Sequence, residues 1–529
     1  MNPADAAATP AHERAAPGRA APASAASGPA TSGPATSGHA ASTPRPPLAP
    51  LALGPVIAAM LTLGALLAAT SNRYGYHRDE LYFRMLDPAW GYFDQPPLTP
   101  LIARTLASIV DEPWLLRLPA IVAAVLAVLI AALIAREVGG ARRAQALAAW
   151  TAAAAAFPMI FGHVLLTASI DLVVWPLVCL FAMRALLRRD GRWWLTVGLV
   201  AGLATYNKLL VAVLLVGLGA GLVAFGPWRA LRSPWIWGGI LIAVVLALPA
   251  IVYQATHGWP QLAMGAALAE DNGGETRWLM WPMLLLLTGP LLVPIWVTGL
   301  VELARRRSWR DIRLLIGAFV VVLVFTFAGS AQFFYPLGVL QVLLAIGCVP
   351  TAEWMRARVR RALAWTAVAL NGAISAVIAL PLVPVDVVGA TPLAGINQVT
   401  ADSVGWPRYV EQIADAAGSV PGAPIITSNY GEAGALDRFG PAVGLDPADV
   451  FSGHNELWFQ GHPPDAVDTA VFVGYGPRLL GPLFDACEVH DELDNGLGVD
   501  NEEQGIPVTV CTGMRVPWSE AWPRFAHLD

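Results

Sequence analysis

The run Tyr74-Gly75-Tyr76-His77-Arg78-Asp79-Glu80-Leu81-Tyr82-Phe83 sets two carboxylates side by side, just after a long apolar stretch. A carboxylate at that place can act as general base on a hydroxyl. The same acids also suit the first turn of a helix that opens near Asp79. Further on, Gly91-Tyr92-Phe93-Asp94-Gln95-Pro96-Pro97-Leu98 reads as a turn that opens a helix at one of its prolines, with Asp94 on the turn. Asp171 interrupts the apolar stretch Leu166-Thr167-Ala168-Ser169-Ile170-Asp171-Leu172. A carboxylate there needs a partner across helices or a wet cavity. Lys208, in Thr205-Tyr206-Asn207-Lys208-Leu209-Leu210, is the single lysine of the chain. It can hold a phosphate as a point charge or snorkel to a membrane interface. His77, next to the acids, could join them around a divalent ion, although no ligand spacing marks such a site.

The elements that must position these residues follow from composition. Of 529 residues, 56% are hydrophobic and 13% charged. A soluble protein carries about 25% charged residues, so a soluble enzyme is excluded. The composition predicts a polytopic α-helical membrane protein. A net charge of -5 offers no basic surface for nucleic acid. Residues 1–48, rich in Ala, Pro, Ser, Thr and Gly, read as a disordered cytoplasmic tail. Residues 49–385 alternate apolar stretches with short loops and predict about eleven spans, among them 144–159, 279–301 and 333–350. Arginines follow every even-numbered span, for example Arg136, Arg142 and Arg143 after the second and Arg184, Arg188, Arg189 and Arg192 after the fourth. The positive-inside rule then places the N-terminus in the cytoplasm and the C-terminus outside, as in a multi-pass plasma-membrane protein. On that count Asp79, Asp94, Asp171 and Lys208 share the outer face. Residues 400–529 turn polar. Strands are predicted over 424–428 and 469–474, after an amphipathic helix over 406–417, which predicts a small extracytoplasmic α/β domain. Cys487 and Cys511 fall in it, where a disulfide is permitted but not fixed by sequence.

No Walker A motif or glycine-rich nucleotide fingerprint occurs, so an activated substrate must arrive with the lipid. In order and sidedness these motifs resemble the GT-C membrane glycosyltransferases, in particular glycosyltransferase family 39. That family includes protein O-mannosyltransferases and is related to the lipid A aminoarabinose transferases. The matching elements are His77 to Tyr82, Tyr92 to Pro97, Asp171, the Tyr206-Asn207-Lys208-Leu209 segment and Phe334-Tyr335-Pro336-Leu337. Ser428 to Ala433 and Ser452 to Asn455 add to them in the C-terminal region.

The resemblance implies an inverting transfer of a sugar from a polyprenyl-phosphate carrier to an acceptor hydroxyl of a protein, lipid or glycan at the outer face. It implies a general-base role for Asp79, with Glu80 beside it. Substrate contacts then fall to His77, Arg78, Asp171, Lys208 and Tyr335. Asp94 stands where related lipid A transferases place an acidic metal ligand, which implies a divalent metal ion. Gln95 and Gln332 stand where relatives often carry a cation. A transporter or lipid flippase is the rival reading. Transporters show internal repeats and broken helices, and no repeat between halves is visible here.

Overall fold

Apolar runs in lipid must satisfy every backbone polar group internally, so they fold as helices. The structure, a computed structural model, describes residues 48–271 and 274–528. The predicted tail, up to residue 47, lies outside the described residues. Among the described residues, six helices are long and apolar enough to cross a membrane: Leu53–Thr70, Pro113–Glu137, Thr167–Leu187, Pro234–Thr256, Leu337–Trp354 and Arg358–Ala379. Counting each bent pair as one span raises the number to eight. Trp193–Ala204, Val211–Phe225 and Leu314–Ala328 are shorter apolar helices.

Two predicted spans are not straight. Arg142–Ala154 and Ala156–His163 meet at 55°, and Arg277–Thr288 and Pro290–Arg305 at 81°. The second break falls at Gly289, whose φ of 94° ends one helix before Pro290 starts the next. The predicted span over 333–350 begins later, at Leu337, because Phe334 and Tyr335 belong to the turn before it. Small residues let helices approach closely. Gly198 faces the Gly239 backbone, and Gly299 faces Gly347, so neither position has room for a side chain.

The C-terminal region carries a five-stranded sheet of β1 (Ile425–Thr427), β2 (Val450–Ser452), β3 (Thr469–Val473), β4 (Phe484–Glu492) and β5 (Pro507–Met514). The order is β2-β1-β3-β5-β4, with the first three strands parallel and the last two pairings antiparallel. Cys487 and Cys511 face each other across β4 and β5 and form a disulfide.

This sheet domain does not hang free. Tyr76 and Leu81, from the loop after the first helix, are buried in the same apolar cluster as Trp406, Tyr409, Leu436 and Val471. Arg84 joins the two regions through Asp437 at 2.6 Å and Asp111 at 2.8 Å, and Arg438 reaches Asp111 at 3.1 Å.

Candidate active site

The helix Arg78–Met85 opens with a reciprocal cap. The His77 ring accepts from the Asp79 N–H at 3.2 Å, and the Glu80 carboxylate accepts from the His77 N–H at 2.9 Å. Glu80 also accepts from Arg117 Nε at 2.9 Å, Arg117 Nη2 at 2.8 Å and the Leu165 N–H at 3.0 Å. Glu80 and Arg117 are both 0% exposed. Arg117 donates further to the carbonyls of Ser71 and Gly75, each at 2.7 Å. The helix cap expected of Asp79 is therefore made by His77 and Glu80. Glu80, expected beside the base, does not reach the cavity described next: its oxygens are spent on holding the loop.

That leaves Asp79 in the first turn with its carboxylate in a cavity of about 640 Å³. The first loop contributes His77, Arg78, Asp79 and Tyr82, and the next segment Asp94, Gln95 and Pro96. The bundle adds Asn207, Lys208, Gln332, Phe334 and Tyr335, and the helix Pro260–Asp271 adds Gln261 and Met264. The C-terminal region closes it with Asp402, Tyr430, Asn455 and Glu502.

Asp79 Oδ1 accepts from the Tyr430 hydroxyl at 2.9 Å. Asp94 Oδ1 accepts from the Tyr82 hydroxyl at 3.2 Å. Burial pushes the Asp94 carboxyl up to about 7, and the charges of Glu456 and Asp79 add to the rise. Arg78 is ion-paired with Glu502 and lies over the Tyr430 ring, 4.7 Å from its centroid. Lys208 Nζ lies 4.7 Å from the Tyr335 ring centroid and 5.6 Å from that of Phe334. Asp171 lies beside the main cavity. It lines a small void of about 30 Å³ whose wall shares Phe334, Tyr335 and Ala168 with the larger one.

Asn207 explains how these parts register. Fully buried, it donates to Asp171 Oδ1 at 3.3 Å and to the Thr167 carbonyl at 2.9 Å, and it accepts from Thr99 Oγ1 at 2.8 Å. One amide thus ties the turn that carries Lys208 to the helix starting after Pro97 and to the Asp171 helix. Asn207, Tyr430, Asp402 and Glu502 went unassigned at the level of sequence. Tyr430 lies in a matching motif, but its contact with Asp79 spans 351 positions.

Among the described residues, no group of three or more His, Cys, Asp or Glu side chains is placed to hold a metal ion. At Asp94, where a divalent ion is expected, the neighbouring polar group is the Tyr82 hydroxyl at 3.2 Å.

Residues 94–253 match the model of the dolichyl-phosphate-mannose-protein mannosyltransferase family. The fold is similar to ArnT from Cupriavidus metallidurans bound to undecaprenyl phosphate, at 15% identity and a TM-score of 0.55, covering 86% of this chain and 97% of that one. The apo state of that protein matches at 14% identity and a TM-score of 0.53, covering 86% and 96%. The chain has the GT-C fold. It is a multi-pass membrane protein with a small C-terminal sheet domain. No curated protein sequence matches it.

Proposed function

We propose that this GT-C protein transfers a sugar from a polyprenyl phosphate to an acceptor hydroxyl at the outer face of the membrane, with inversion at the anomeric carbon. The observation that carries this is one cavity of about 640 Å³ that gathers Asp79, Asp94 and Lys208 between the helix bundle and the sheet domain. A volume of this size suits a sugar phosphate. The undecaprenyl phosphate in the similar ArnT structure supports a polyprenyl carrier.

Asp79 takes the proton as the acceptor oxygen bonds to the anomeric carbon. The bond from that carbon to the phosphate oxygen breaks, and its electron pair leaves with the polyprenyl phosphate. Lys208 offsets the charge that grows on the departing phosphate. Arg78 is ion-paired with Glu502 and stacked on Tyr430, so its charge belongs to the wall rather than to the leaving group. General-base work supplies about 10²–10⁴-fold, and positioning supplies the remainder. The acceptor is a hydroxyl of a protein, lipid or glycan.

Purified protein in lipid nanodiscs should release polyprenyl phosphate from a polyprenyl-phosphate sugar when acceptor is present. Asp79→Asn should lose at least about 10²-fold in turnover while donor binding and melting temperature stay near normal. Donor moved across a vesicle membrane without bond cleavage would overturn the reading in favour of transport. Near-normal turnover in folded Asp79→Asn would remove Asp79 as the base.

A further inference from the structure

We propose that Tyr430, carried by the C-terminal sheet domain, is a positioning residue for the Asp79 carboxylate. The inference rests on the reading of Asp79 as the base and adds the group that aims it. Asp79 is half-buried at the cavity wall, and its Oδ1 accepts the Tyr430 hydroxyl at 2.9 Å. The helix cap around it is completed by His77 and Glu80, so the carboxylate is not consumed there.

Tyr430 is held firmly enough to impose a direction. It is the first residue of the helix Tyr430–Phe439, whose capping box comes from Asn429 and Glu432. Its ring has Arg78 above it at 4.7 Å, and the rings of Tyr82 and His454 each lie 4.8 Å away. Gly434, one turn on, brings this helix against the Leu81 backbone, where an added Cβ would come within 2.7 Å of the carbonyl carbon. The phenol therefore reaches Asp79 from a packed position. Holding one carboxylate oxygen fixes the plane of the group and leaves the other to take the acceptor's proton. A hydrogen bond to the anion makes the base weaker, so the gain lies in geometry, where a small misplacement costs a large factor in rate.

Tyr430→Phe removes one oxygen and keeps the ring. The expected result is a fall in kcat of about tenfold with donor KM unchanged within about twofold. The acidic limb of the kcat profile should move upward, because the carboxylate loses a donor that favours its ionised form. Arg78, His77, Asp94, Asp402 and Glu502 also line this cavity, and both proteins contain them, so the difference between the two profiles isolates the hydroxyl.

Placing 3-fluorotyrosine at 430, a stronger donor, should move the limb the opposite way; it decides the matter alone where Tyr430→Phe does not fold. Unchanged kcat and limb in both variants would overturn the proposal, as would a raised donor KM with kcat and limb unchanged. Asp79→Asn separates the two layers. If that variant retains turnover, the base assignment itself fails. If it is inactive while Tyr430→Phe behaves as wild type, only the role of Tyr430 falls.

Discussion

Lys208 has two attachments whose removal reads differently. It lies over Tyr335 and Phe334, and it lines the cavity together with Asp79. A charge-assisted contact to phosphate contributes roughly 1.5–3 kcal/mol. Lys208→Ala should therefore raise donor KM by roughly ten- to hundredfold, with thermal stability nearly unchanged. Unchanged donor kinetics in the folded variant would assign the side chain to its aromatic packing alone. Asp94 offers a pH test. Its carboxyl is raised by burial to about 7, above its value in the unfolded chain. Between those two values the folded protein holds the extra proton, so stability falls as pH rises through the window from about 4 to 7. For one such group the slope is at most about 1.4 kcal/mol per pH unit. Melting temperature should be lower at pH 8 than at pH 5, and Asp94→Asn should flatten the difference. Glu503, likewise pushed to about 7 by burial, adds to the same slope, so the flattening is partial.

The helix Arg78–Met85 depends on a buried ion pair more than on its own eight residues. Removing one partner of such a pair leaves the other charge buried and alone, at a cost of about 3–5 kcal/mol. Glu80→Ala should thus lower the midpoint of denaturation by far more than Asp79→Asn, and comparing the two curves checks it. The resemblance gives Asp79 the base role with Glu80 beside it, and spacing alone cannot tell which of two neighbours turns inward. Arg117, the residue that decides it, is 37 positions away. Long apolar runs make the helices legible, and Gly329 and Ser330 lie in the break between Leu314–Ala328 and Leu337–Trp354. The bend at Ala155 is marked only by Pro158, which stands in the first turn of the helix that follows, and the alanines before it give no sign of a break. The strands over 425–427 and 469–473 were readable as buried β-branched runs. β4 was not, because Phe484–Glu492 is acidic and almost wholly exposed at the sheet edge, the pattern of an edge guarded by charge. Asn207 was quoted in its motif, yet its role depends on Thr99, Thr167 and Asp171 meeting at one amide.

At the scale of the molecule, the cavity lies where the first loop and the sheet domain meet one end of the bundle, so both must stand on the same side of the membrane. We propose that this side is the outer one, because arginines cluster in the loops of the opposite side. A reporter active only in the cytosol, fused after Asp529, should be silent, whereas activity would reverse the orientation of the whole site. The apolar cluster joining Tyr76 and Leu81 to Trp406 and Leu436 also carries a consequence for synthesis. Asp79 leaves the ribosome 351 residues before Tyr430. At about 5–20 residues per second, that is roughly 20–70 s during which Tyr76 and Leu81 lack the sheet-domain half of their core. The loop that carries Asp79 is therefore completed only once the sheet domain has been made. A chain stopped before residue 406 would carry Asp79 without the packing of Trp406, Tyr430 and Leu436 around its helix.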